Sequence, residues 1–166
     1  NTATVGTAAW TVIAGSAAVT TPGSPASGVT GLSVGPNTFV WTITNGSCPA
    51  SRDTVTIKRD QEPTTANAGP DQTVCSSIST LAGNIATVGT GTWTVLSGGA
   101  SVTSVHAAGS GVTGLGVGAN MFEWLISNGV CPLTKDTVTI TRDAAPTTAN
   151  AGADQTSCVL TTSLAG

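Results

Sequence analysis

Along much of this chain, apolar and polar residues alternate with a period of two. In 37–45, Phe39, Trp41 and Ile43 share one face, while Thr38, Val40, Thr42 and Thr44 occupy the other. Further on, Phe122, Trp124 and Ile126 repeat the first face, opposite Met121, Glu123, Leu125 and Ser127. One face is constant and the other drifts, which is the pattern of a strand with a buried and a solvated side. Thr54-Val55-Thr56-Ile57 and Thr137-Val138-Thr139-Ile140 alternate likewise. Trp10 with Val12, and Trp93 with Val95, supply a third inward pair. Asn45-Gly46 and Asn128-Gly129 are turn signals. No window of useful length has helical periodicity. Short strands separated by turns predict an all-β chain of β-sandwich type, with Trp10, Phe39, Trp41, Trp93, Phe122 and Trp124 in the core. A β-solenoid is the alternative, but its coils repeat at much shorter intervals than the one found here.

That interval is 83 residues. Ala-Thr-Val-Gly-Thr at 3–7 recurs at 86–90, and the offset holds without a gap to the end, with 50 of 83 pairs identical. Trp10 corresponds to Trp93, Trp41 to Trp124, Cys48 to Cys131 and Cys75 to Cys158. Pro63-Thr64-Thr65-Ala66-Asn67-Ala68-Gly69 and its copy at 146–152 read as linkers, where domain boundaries fall. The expected organisation is therefore a complete β-sandwich repeat at 63–145, a repeat at 1–62 lacking its first strand, and the first strand or strands of another at 146–166.

Composition narrows the function. Of 166 residues, 5 are basic and 8 acidic, so charged residues make up 8%, against about 25% in an ordinary soluble domain. The net charge is −3, and five scattered basic residues cannot form the clustered footprint that nucleic acid requires. No apolar run is long enough for a transmembrane helix, and no secretory leader opens the sequence. One His, no Tyr and 31 Thr suit an extracellular β-protein.

Cysteines sit at 48, 75, 131 and 158, without the C-x-x-C spacing of a zinc site. Only Cys75 and Cys131 are available within 63–145. A bridge between them would close 131 − 75 + 1 = 57 residues, worth roughly 4 kcal/mol by the chain-entropy model, and would imply an oxidising compartment. Cys48 and Cys158 would then pair with neighbouring copies, Cys158 of one with Cys48 of the next; free thiols are the alternative.

Asn67-Ala68-Gly69-Pro70-Asp71-Gln72-Thr73-Val74-Cys75 resembles the opening of PKD-like Ig-fold repeats. With Gly129-Val130-Cys131-Pro132 and Asp136-Thr137-Val138-Thr139-Ile140, it is similar to the tandem repeats of long Bacteroidota surface proteins, including gliding-motility adhesins and other cargo of the type IX secretion system. The resemblance spans the whole chain. It implies tandem Ig-like sandwich modules on the cell surface. It also implies O-glycosylation at Asp-Thr-apolar sites, here Thr54 and Thr137. A glycan there would supply the bulky, soluble surface that so few charges cannot.

Catalytic chemistry finds little to work with. The only His is His106, and Gly23 occupies its place in the other copy, so a Ser-His-Asp set is not expected. Asp60, Asp71, Asp143 and Asp154 flank the linkers and would be candidates to lock a joint through calcium; capping of strand ends and turns is the simpler reading. No other cofactor is implied. No Lys recurs between copies, which disfavours isopeptide staples, and the exposed Thr positions change too much between copies for a regular ice-binding array.

The function expected is non-enzymatic: a structural module of an extracellular filament or adhesin stalk, its partners being identical repeats arranged head to tail. Two alternatives stand beside it. One is a short subunit that polymerises by strand donation with an interchain disulfide. The other is a glycan- or surface-binding module that uses the divergent loops around 21–28 and 104–111.

Overall fold

The computed structural model describes residues 1–166 and contains twelve strands and no helix. They are β1 (Thr7–Ala14), β2 (Ala18–Val19), β3 (Val29–Thr30), β4 (Gly35–Thr44), β5 (Ser51–Arg59), β6 (Gln72–Val74), β7 (Ile78–Thr80), β8 (Thr90–Ser97), β9 (Ser101–Val102), β10 (Gly111–Thr113), β11 (Gly118–Ser127) and β12 (Thr134–Arg142). The chain is all-β, as its period-two alternation requires.

Residues 63–145 contain two sheets. One has the order β6-β12-β11-β8 and the other β7-β10-β9. The buried cluster lies wholly between Ala66 and Ile140: Trp93, Phe122, Trp124, Ile126, Val138 and Ile140 come from the first sheet, and Leu81, Val112 and Leu115 from the second sheet and its flanks. The inward residues are those that the alternation selects. Trp93 and Trp124 face each other across β8 and β11, ring centroids 4.8 Å apart.

Residues 1–62 contain a sheet β1-β4-β5 and a two-stranded ribbon β2-β3. Their ladder matches that of the second half: Trp10 lies opposite Trp41 and Phe39 opposite Val55, as Trp93 lies opposite Trp124 and Phe122 opposite Val138. Nothing in this half stands where β6 and β7 stand in the other.

A buried asparagine holds each half together at the start of its longest strand. Asn120 Nδ2 donates to the carbonyls of Gly116, Gly118 and Ile140, and its Oδ1 accepts from Gly116 N. Asn37 does the same work with Ser33, Gly35 and Ile57. Gly98, with φ of +90°, lies so close that a Cβ there would strike Asn120 Oδ1. An amide with every hydrogen bond made can be buried at little cost.

The stretch beginning at Pro63 is not the linker expected from its composition. Pro63, Ala66 and Ala68 are buried, and Ala66 and Ala68 belong to the core cluster. Small side chains, absent as anchors in a sequence reading, let the backbone run close against the sheet. The covalent joint between the halves is correspondingly short, at 60–62.

Candidate functional site

Residues 63–83 form a strap along the sandwich of 63–145. Thr134 Oγ1 donates to Thr64 O (2.7 Å) and accepts from Ala66 N (3.0 Å). Asp136 Oδ2 accepts from Ala68 N at 2.8 Å. Asp71 Oδ1 accepts from Thr139 N at 2.8 Å. Asn84 closes the other flank: its amide donates to Thr65 O, and its Oδ1 accepts from Asn67 N. Trp124 Nε1 donates to Asn84 O and Oδ1. The strap then adds β6, parallel to β12 through Ile140↔Gln72, and β7, antiparallel to β10. It thus gives one strand to each sheet and inserts Leu81 between them.

The first half has every receptor for such a strap and no strap. Val55 and Ile57 are 44% and 37% exposed, whereas their counterparts Val138 and Ile140 are 1% and 0% exposed. An apolar groove of about 120 Å³ is lined by Trp10, Val19, Val29, Phe39, Val55 and Ile57. Beside it, a cavity of about 410 Å³ reaches Asn1, Trp41, Ser51 and Asp53. Trp41 Nε1 is buried without a hydrogen-bond partner. Ser51 and Asp53 occupy the positions of Thr134 and Asp136, the two residues that clamp the strap. A buried donor left unpaired costs about 1–3 kcal/mol, so the half-sandwich is incomplete in polar as well as apolar terms.

Residues 146–166 repeat residues 63–83 and are exposed throughout. Pro-Thr-Thr-Ala-Asn-Ala-Gly, Asp-Gln-Thr, Cys and Leu-Ala-Gly are common to both segments. Leu164, the counterpart of Leu81, is 93% exposed.

Asp60 anchors the joint between the halves. Its Oδ2 accepts from Val130 N (3.2 Å), and Lys58 Nζ lies 2.8 Å from Oδ1. Asn128 Nδ2 donates to Gln61 O at 2.7 Å. The Lys58 hydrogen bond, then the Val130 amide, hold the Asp60 carboxyl below its ordinary value of 3.8. The same hydrogen bond and the adjacent negative charge hold Lys58 above 10.5. Gly129, at φ of +54°, sits against the carboxylate, where any Cβ would collide with Oδ2.

One sequence expectation needs correction. Cys75 and Cys131 cannot pair within 63–145, and all four thiols are free. Cys75 follows β6 at the Arg142 end of β12, where Arg142 Nε donates to Cys75 O. Cys131 lies in the turn before Thr134, at the other end. Eight residue steps at about 3.3 Å put roughly 26 Å between them, whereas bridged Cα atoms stand within about 7 Å. The cause is the parallel pairing of β6 with β12, which carries Cys75 away from the hairpin. Asp60 and Asp71, weighed as a calcium lock against the simpler reading of capping, accept from separate backbone amides. Asp71 binds in the second half of β12, Asp60 binds the turn before it begins, and no three His, Cys, Asp or Glu side chains converge anywhere.

The remaining candidates are placed as follows. Thr54 and Thr137 are exposed. Asp53 and Asp136, read only as part of a modification pattern, include the strap clamp. Asp143 N donates to Val74 O, and Asp154 lies in the exposed segment. His106 Nδ1 contacts Gly91 O and Thr92 Oγ1 at 3.0 and 3.2 Å. No helix is long and apolar enough to cross a membrane.

No family model and no curated protein matches the chain. Among solved structures, the chain is similar to the solution structure of the PKD domain from KIAA 1837 protein, at 19% identity and a TM-score of 0.43, with 56% of this chain and 99% of that chain covered.

Proposed function

We propose that these residues are structural, non-enzymatic modules of an extracellular filament or adhesin stalk on the cell surface. They are read as tandem Ig-like/PKD-like sandwich repeats of 83 residues, set head to tail. Each sandwich is completed by a strap of the 63–83 type, and the groove in 1–62 takes its strap from a neighbouring copy of the repeat, through residues with the sequence of 146–166. Such completion is β-strand addition: main-chain hydrogen bonds give affinity, and pockets for alternate side chains give register. Head-to-tail contacts that do not close on themselves build a filament.

One observation carries this reading: the same chain holds a seated strap, an empty groove with the same receptors, and an unseated segment with the same sequence. Asp60 supports the filament geometry, because it fixes the hairpin turn of the next unit and so stiffens the joint. His106 supports a structural role, since its ring contacts the Gly91 carbonyl of β8 and so ties its loop to that strand.

The test uses the 166-residue chain in reductant, followed by size-exclusion chromatography with light scattering. Oligomers that grow with concentration are expected, and removal of 146–166 should leave monomers. A chain that stays monomeric at high concentration refutes strap exchange. Glycosylation at Thr54 and Thr137 is tested separately on the native material, where an intact mass equal to the bare sequence would exclude it.

A further inference from the structure

The joint indicates where each thiol finds its partner, an inference that rests on strap completion. At the far end of 63–145, Asp143 N donates to Val74 O (2.9 Å), Arg142 Nε to Cys75 O (3.5 Å) and Arg142 Nη1 to Leu115 O (2.8 Å). A seated strap therefore leaves its cysteine against an Arg-Asp pair. At the near end, Cys131 Sγ donates to Asp60 O at 3.4 Å. Arg59 and Asp60 are the counterparts of Arg142 and Asp143, and Arg59 Nη1 already holds Leu32 O (3.1 Å) as Arg142 holds Leu115 O. The strap cysteine of one unit and the hairpin cysteine of the following unit thus each lie at an equivalent Arg-Asp pair, the first at Arg142-Asp143 and the second at Arg59-Asp60. A cavity of about 340 Å³ lies there, with Leu32, Arg59, Asp60 and Cys131 among its walls. A strap seated along β5 brings its cysteine into that space.

We propose that every joint is sealed by a disulfide between the strap cysteine of one unit and the hairpin cysteine of the next. In residue numbers, Cys158 bonds Cys131 of the following copy, and Cys75 bonds Cys48 of the following copy. All four cysteines are then used, and each bond crosses a joint instead of stapling one sandwich. In each bond two thiols lose two protons and two electrons by exchange with a disulfide oxidant of the oxidised-glutathione type, which is reduced to two thiols. The bonds convert a non-covalent strand-addition filament into a continuously cross-linked one, so that tension applied at a joint is borne by covalent bonds as well as by the strap.

The test assembles the 166-residue chain in a buffer of oxidised and reduced glutathione. The product is run on a non-reducing gel and digested with trypsin and a glutamate-specific protease without reduction. The expected gel shows a ladder with steps of one 16.2 kDa chain, and mass spectrometry should find fragment 124–135 linked to 143–166, and 60–123 linked to 1–52. Cys131→Ser should remove the first link and keep the second. Linkage of 60–123 to 124–135, linkage of 1–52 to 143–166, or oligomers whose thiols stay free overturns the disulfide assignment alone. Absence of oligomers in the parallel reducing experiment overturns strap completion and the disulfides with it.

Discussion

Leu81→Ala separates a strap that is part of the core from a linker that merely passes by. Leu81 is 1% exposed and packs in the cluster that contains Trp93, Trp124, Val112 and Leu115. Its backbone is held by Ser110, whose carbonyl accepts from Leu81 N at 2.8 Å, so the strap cannot readily slide to refill the space. Truncation loses the transfer energy of the removed carbons and leaves a cavity, for a total of about 2–5 kcal/mol. In a domain of this size each kcal/mol moves the melting temperature by about 4–8 °C, so a fall of roughly 20 °C is expected near the middle of both ranges. The assay is calorimetry of the 166-residue chain in reductant, with near-ultraviolet dichroism reporting Trp93 and Trp124. Leu164→Ala is the internal control: the same residue type at the matching position, 93% exposed, should leave the melting of dilute chain unchanged and weaken oligomer formation. A fall of less than about 4 °C for Leu81→Ala, the smallest shift that even one kcal/mol would give, would mean that the strap is not load-sharing core. The reading of 1–62 as a sandwich awaiting its strap would then fail too.

Asp136→Ala removes the carboxylate that receives Ala68 N and should cost about 1.5–3 kcal/mol, as hydrogen bonds to charged groups do; Asp53→Ala, with no strap to hold, should leave monomer melting unchanged and reduce oligomer size by light scattering. Gly129→Ala should loosen the joint, because it combines a positive φ with a Cβ driven into the Asp60 carboxylate; faster amide hydrogen exchange at 128–131, with the core of 63–145 unaffected, is the expected result. The joint should also depend on pH. Asp60 is depressed below 3.8, so its contribution is complete above that value and lost as pH falls through its lower folded-state value. Lys58 is raised above 10.5, so its share is complete below 10.5 and lost as pH rises through its higher folded-state value. A titration of the Val130 amide resonance with its acid midpoint at or above 3.8 would contradict the first, and a Lys58 midpoint at or below 10.5 the second.

Much of the strand architecture is legible along the chain. Phe122, Trp124 and Ile126, and Val138 with Ile140, are apolar at alternate positions, and a residue every two steps on one face of a strand is a local property. The same holds for the Asn-Gly turns, where a positive φ selects glycine. The strap was not legible, because Ala66 and Ala68 are too small to mark a buried run, and the groups that hold them, Thr134 and Asp136, stand 68 residues away. Those two side chains carry no local sign of their role; Asp136 instead reads as part of an Asp-Thr-Val pattern.

The cysteines mark the boundary between the two kinds of information. Their count, their spacing and their recurrence every 83 residues are sequence facts, and with the alternating faces they are enough to specify an all-β chain with a repeating plan. Which thiols can meet depends on the direction of one three-residue strand. Antiparallel pairing of β6 with β12 would have placed Cys75 near the hairpin of Cys131. Parallel pairing places it at the opposite end, against Arg142 and the next joint. Strand direction is set by where the strap enters and which long-range hydrogen bonds it finds, and no local pattern of residues encodes that.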